Sequence, residues 1–273
     1  MNKKIVIPTD FSEAAKNALD YALNFLGKDK SDIYLLNAYE PPHMGSGMLI
    51  SINEILEKES KLSLNHEISR LRDANKINGY HLDTISENGD LVGSLKKWNK
   101  KIDFDYIILG TNGATGIKGA LFGSNASEVI DCSEIPVITI PNEATFKGLK
   151  KILFSIDGIP FSNDKPIKEL LFLKEEFGAE IHLLHIDTPS NHEHKNRRQK
   201  TLQDIKSKLN LAENQVHEEF CDSAIDGINS FIEKNPEFDL VCMVPRKKSF
   251  IFKFSKTKAI SIGTKIPLWT LRD

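Results

Sequence analysis

The stretch Phe104-Asp105-Tyr106-Ile107-Ile108-Leu109-Gly110-Thr111-Asn112-Gly113 decides how this chain is read. Its apolar half has the length and continuous hydrophobicity of a strand buried on both faces, as in a parallel sheet. Its second half ends that strand on glycines, where a backbone without Cβ atoms can come close to a polyanion. Nine residues later comes Gly123-Ser124. A helix starting there would point its unpaired N–H groups at the same anion. The whole run reads as strand, phosphate-binding loop, helix.

The same stretch also marks a repeat. Phe104-Asp105-Tyr106-Ile107-Ile108-Leu109 recurs as Phe238-Asp239-Leu240-Val241-Cys242-Met243, 134 positions on. Around it, Lys4-Ile5-Val6-Ile7-Pro8-Thr9-Asp10 matches Lys151-Ile152-Leu153-Phe154-Ser155-Ile156-Asp157, and Ile135-Pro136-Val137-Ile138-Thr139-Ile140 matches Ile266-Pro267-Leu268-Trp269-Thr270-Leu271. A duplicated unit in 273 residues implies two domains of ordinary size. The boundaries predicted are 1–143 and 149–273, joined by a polar linker from Pro141 to Gly148.

Within each half, apolar runs alternate with segments of helical period, the pattern of βαβ units around a parallel sheet. Strands are predicted near 4–9, 32–39, 80–86, 105–110 and 136–140, with helices near 13–27, 51–77, 90–101 and 123–133. The second-half strands fall near 150–157, 180–187, 215–221, 239–244 and 266–271. Ser12 is placed to cap the first helix, Ser51 with Glu54 forms a capping box for the second, and Asn163 or Asp164 caps a helix carrying Pro166 in its first turn.

Composition narrows the function. A net charge of −2 gives no bias toward polyanions, so nucleic acid is not the expected partner. No apolar run approaches the length of a membrane span, and the residues before Asp10 are too few for a signal-peptide core, so a cytoplasmic protein is predicted. Cys132, Cys221 and Cys242 form no CxxC pair and are read as buried, reduced thiols. His182 and His185 lie three apart on one predicted strand and face opposite sides of the sheet, which argues against a shared metal. His192 and His194, with Glu193, read as a solvated segment. No metal site is predicted.

Open parallel sheets bind ligands beyond the carboxyl ends of their strands, where strand order reverses. That places Asp10, ending the first strand, beside Gly110 and Gly113, ending the fourth. A carboxylate repels phosphate, so Asp10 is suited to ribose hydroxyls while the glycine loop takes the phosphates. Lys118 adds a cation within the loop. The run lacks the Gly-Lys-Ser/Thr triplet of a P-loop, and no Gly-x-Gly-x-x-Gly fingerprint occurs.

Both halves resemble the universal stress protein family. The resemblance rests on Gly110, two residues, Gly113, nine residues, Gly123, then Ser124, and it covers essentially the whole chain. It implies two tandem five-stranded parallel α/β domains, Rossmann-like and related to the adenine nucleotide alpha hydrolase-like folds. In the family two such domains commonly pair through their last strands, which here would form an intrachain pseudo-dimer; whether the chain dimerises further is left open. The resemblance also implies that Pro8, Thr9 and Asp10 line adenine and ribose, that Ala38 at the end of the second strand touches the base, and that Leu109 begins the loop. Gly110, Gly113, Gly123, Ser124, Asn125 and Ala126 would hold phosphates. At Ala126 related sequences often present a hydroxyl, which this chain lacks.

In the second half no glycine survives in Val244-Pro245-Arg246-Lys247-Lys248, and Phe254 stands in the place of Gly123. Asp157 remains as the counterpart of Asp10, although Asp157-Gly158 resembles a turn as much as a site. The basic cluster from Arg246 to Lys258 reads as a solvated face, with an anion pocket that uses side-chain charge in place of glycine amides as the alternative. One nucleotide site per chain is therefore expected. The resulting expectation is an adenine-nucleotide-binding stress-response protein taking ATP, ADP or AMP, with Mg2+ beside the phosphates, and acting as a non-catalytic regulator. The alternatives are a nucleotide-independent scaffold and a slow ATPase or autokinase; no catalytic residue is assigned.

Overall fold

The structure is a computed structural model that describes residues 2–26, 31–41, 49–74, 76–77, 79–111, 123–189, 195–245 and 266–273. The chain divides into two compact units, Met1–Phe146 and Lys147–Asp273.

The first unit runs β1 (Lys3–Pro8), α1 (Glu13–Leu26), β2 (Ser31–Tyr39), α2 (Leu49–Asp73), β3 (His81–Asn88), α3 (Leu91–Ile102), β4 (Tyr106–Gly110), α4 (Ser124–Cys132) and β5 (Val137–Ile140). Its strands lie in the order β3-β2-β1-β4-β5, all parallel. The chain winds outward from β1 through β2 to β3, then crosses to β4 on the other side, so the order reverses between β1 and β4. Right-handed crossovers then put helices on both faces. Asp20 of α1 accepts from Arg70 of α2 at 3.1 Å, and α3 packs against α4. Ile5, Val6, Ile7, Ile33, Leu35 and Ile108 are wholly buried, as expected of strands covered on both faces.

The second unit repeats the plan with β6 (Lys151–Ile156), α5 (Lys165–Phe177), β7 (Glu180–Asp187), α6 (Lys195–Leu209), β8 (Val216–Phe220), α7 (Ala224–Lys234), β9 (Leu240–Met243) and β10 (Leu268–Thr270). Its order is β8-β7-β6-β9-β10, again parallel.

The repeated sequence has a repeated purpose. Asp105 Oδ2 accepts from the Lys4 amide at 2.8 Å, and the Asp105 amide donates back to the Lys4 carbonyl at 2.8 Å. Asp239 makes the same exchange with Lys151, at 3.0 and 2.9 Å. Each aspartate thus fixes the fourth strand of its unit against the start of the first. At the far end of the strands, Asn37 Nδ2 donates to the Thr9 carbonyl at 2.7 Å. In the second unit His185 Nδ1 sits 3.1 Å from the Ile156 carbonyl, which corresponds to that of Thr9. Two different side chains therefore make one structural bond.

Several expectations are refined. Ser12 does cap α1, its Oγ accepting from the Ala15 amide at 3.2 Å. Ser51 is not the N-cap of α2. The helix continues upstream through Ile50 to Leu49, so Ser51 lies in the first turn, where its backbone is already helical. Asn163, two residues before α5, accepts from the Lys165 amide at 2.8 Å, whereas Asp164 makes no capping bond. Of the cysteines only Cys242 is buried; Cys132, the last residue of α4, is exposed and Cys221 is half-buried. The linker's first residues stay with the first unit. Asn17 Nδ2 donates to the Pro141 and Ala144 carbonyls, and Phe146 packs edge-on against Tyr21 and Phe25.

Because a carbonyl only accepts, His185 carries its proton on Nδ1 and stays neutral. Burial pushes its pKa below the ordinary value of 6.5, against a smaller opposite pull from the Ile156 bond. Stability is complete above that unfolded value and is lost as pH falls through it toward the lower folded value, because the unfolded chain takes up the proton first. His185→Asn copies Asn37 and removes the titration. The urea midpoints at about pH 7.5 and about pH 5.5 should lie closer together in the variant than in the wild type. His217, also held low chiefly by burial, leaves a residual slope of the same sign. An unchanged gap would contradict the assignment.

Candidate functional site

The residues named from sequence converge at the carboxyl ends of β1 and β4. Ile5 pairs with Tyr106 and Val6 with Ile107, and the same register carried forward sets Thr9 abreast of Gly110. Pro8, Thr9 and Asp10 close β1, Leu109 and Gly110 close β4, and Ala38 lies one residue beyond Asn37 near the end of β2. Gly113, with Asn112, Thr115 and Lys118, lies outside the described residues.

Each position has a local cause. Thr9 is buried; its amide donates to the Leu36 carbonyl at 2.8 Å and its Oγ1 accepts from the Phe11 amide at 3.0 Å. Asp10 is exposed and turns the chain, Oδ1 accepting from the amide (3.1 Å) and hydroxyl (2.6 Å) of Ser12. Within that turn Phe11 holds φ +62°, a left-handed conformation costly for a bulky side chain. The turn delivers the chain into α1, whose buried Ala14, Ala15, Ala18 and Ala22 let the helix lie close to the sheet. Gly110 is needed for that approach. A Cβ there would stand 2.7 Å from the Ala14 carbonyl oxygen.

The base of the glycine loop is pinned. Thr111 is buried, its amide donates to Ile140 at 3.1 Å, and its carbonyl accepts from the Gly123 amide at 2.6 Å. Gly123 is the N-cap of α4 and provides no side-chain cap. Its own N–H is therefore used within the fold, and the amides of Ser124, Asn125 and Ala126 are the first-turn donors without an intrahelical partner. Ser124 and Asn125 are exposed, whereas the Ala126 side chain is buried in the core, so only its amide can serve a ligand. The macrodipole adds partial positive charge at this end. A carboxylate and a helix N-terminus thus flank the reversal of strand order. A separate cleft of about 250 Å³ opens between α3 and α4, beside Leu95, Val129 and Cys132, toward the far end of α4.

Asn37, Phe11 and Thr111 were missed as parts of this arrangement. Asn37 was the most detectable, a lone amide in the apolar run Ile33-Tyr34-Leu35-Leu36 and its continuation.

In the second unit His182 and His185 face opposite sides, as expected. His182 Nδ1 meets His217 Nε2 at 3.1 Å with the rings stacked, while His185 is turned to Ile156. Among the described residues no group of three or more His, Cys, Asp or Glu side chains is placed to hold a metal. His192, His194, Phe254, Ser255 and the basic cluster from Arg246 to Lys258 lie outside the described residues.

The fold defines a doubly wound α/β protein whose strand order reverses between β1 and β4. The family model described as the universal stress protein family matches residues 1–141, and the chain belongs to that family. It is 29% identical to Universal stress protein MJ0531 of Methanocaldococcus jannaschii over 144 residues, covering 50% of this chain and 81% of that protein. Universal stress protein MJ0577 of the same archaeon is 27% identical over 158 residues, covering 51% and 95%. A universal stress protein structure from Archaeoglobus fulgidus covers 98% of both chains with a TM-score of 0.72 at 18% identity, a likeness of fold.

Gly110→Ala forces the new methyl group into the Ala14 carbonyl and should cost about 1–3 kcal/mol, the usual range for overpacking. Urea unfolding monitored by circular dichroism reads it. An unchanged midpoint would show that α1 does not approach β4 this closely.

Proposed function

We propose that this chain binds one adenine nucleotide, ATP with Mg2+, in its first unit and acts through that binding as a regulator in a stress response. The observation that carries the reading is the uncapped N-terminus of α4 facing the turn at Asp10 across the point where strand order reverses. Residues 1–143 then form the nucleotide domain and residues 149–273 a partner domain with a degenerate loop. Ser124, Asn125 and Ala126 offer amides to the phosphates, together with Gly113 of the loop. Asp10, with Oδ1 engaged by Ser12, turns its carboxylate to the ribose, and Pro8, Thr9 and Ala38 border the base. Leu109, Gly110 and Gly123 act differently: they hold the loop's base in place through packing and the Thr111 bond. Among the described residues no helix is long and apolar enough to cross a membrane, which suits a cytoplasmic role.

One observation favours a second reading, a scaffold independent of nucleotide: Gly110 is demanded by Ala14 whether or not a ligand binds. Gly113 separates the two. Calorimetric titration of nucleotide-stripped protein with ATP and Mg2+ should give one site per chain, with ADP, AMP and cyclic AMP as comparisons. Gly113→Val, folded by circular dichroism, should weaken ATP at least about tenfold, as expected when backbone approach to a phosphate is blocked. Undiminished binding by the folded variant would sink the loop site, and no binding by the wild type would favour the scaffold.

A further inference from the structure

The two units share more than their strands. Asp157 Oδ1 accepts from the Ile159 amide at 3.0 Å, just as Asp10 Oδ1 accepts from Ser12 at 3.1 Å. The intervening residue is left-handed in both turns, Phe11 at φ +62° and Gly158 at φ +76°. With His185 in the role of Asn37, the second unit keeps the frame that in the first unit leads from β1 into α1.

What differs is the contents of that frame. Arg198, from the first turns of α6, lays its stem over Gly158: a Cβ on that glycine would stand 2.8 Å from Arg198 Cγ, 3.3 Å from Cδ and 3.3 Å from His185 Cε1. Gly158 is thus the counterpart of Phe11 and the gap that admits the arginine. The guanidinium reaches past the strand ends to Asp187, where Nη1 and Oδ1 are 2.5 Å apart. Register makes Asp187 the neighbour of Ile186, and Ile186 the counterpart of Ala38. Arg198 is only 6% exposed, so its side chain is packed into this strand end. The fit is imperfect. The buried Arg198 Nε and His185 Nε2 make no hydrogen bond among the described residues.

We propose that Arg198 is the specificity-determining residue of the second unit: its side chain occupies, from within the chain, the place left in the first unit for an adenine nucleoside. The loss of the glycine loop removes the phosphate cradle, and Arg198 removes the room for base and ribose. The inference rests on the reading of the first unit as the nucleotide site.

The test uses the full chain, stripped of nucleotide, with adenosine as the probe, because adenosine needs no phosphate loop. Equilibrium dialysis should give one equivalent per chain for the wild type and two for Arg198→Ala. Deleting the arginine alone removes a cationic partner of the Asp187 carboxylate, so Asp187→Asn/Arg198→Ala serves as the second variant, with folding checked by circular dichroism. The added equivalent should vanish when Asp157→Ala is introduced. A rise of one equivalent over the wild type, lost with Asp157→Ala, supports the proposal whatever the wild-type value. No rise in a folded variant, or a rise insensitive to Asp157→Ala, overturns it. Wild-type protein that binds neither adenosine nor ATP overturns the reading of the first unit, and the comparison with the variants still decides the role of Arg198.

Discussion

The side-chain bonds to the Thr9 and Ile156 carbonyls, at corresponding ends of the first strands, are the constraint on which the turn into the next helix depends. An unpaired buried carbonyl costs free energy comparable to a lost hydrogen bond. Asn37 donates to Thr9 and His185 to Ile156, so each strand end has a side-chain partner. With that carbonyl anchored, the aspartate that follows can turn the chain through a left-handed residue into the next helix. The turn then fixes where α1 meets β4, where Gly110 must be bare, and where the cleft opens.

From this common frame the units diverge by a few side chains. In the first, the fourth strand passes through Thr111, whose two backbone bonds join β5 to the start of α4, and the first turn of α4 is left uncapped. In the second, glycine at position 158 makes room for an arginine that pairs with Asp187. One duplicated plan thus carries different side chains at its two strand ends. The asymmetry arises from side-chain volume and charge at the strand ends, while the registers of β1 with β2 and of β6 with β7 stay the same.

Much of the plan was legible in sequence because parallel strands buried on both faces read as unbroken apolar runs. Ile5-Val6-Ile7, Tyr106-Ile107-Ile108-Leu109 and Leu240-Val241-Cys242-Met243 all became strands near their expected bounds. Asp105 and Asp239 stood out only as a repeat; that they clamp strand starts needed coordinates. The glycines at 110 and 123 were legible, but their work was not. Gly110 answers to a helix distant in sequence, and Gly123 spends its amide on Thr111. Ser51 misled because a hydroxyl-x-x-carboxyl spacing occurs inside helices as well as at their starts. Arg198 was illegible, since a basic residue opening a polar helix normally faces water.

In the proposed function one strand end binds nucleotide and its twin does not. Amide hydrogen exchange on the full chain, with and without ATP and Mg2+, tests it at both places at once. Exchange should slow at residues 9–12 and 124–126 and stay unchanged at residues 155–159. Slowing at 155–159, or at neither place under saturating ATP, would contradict it.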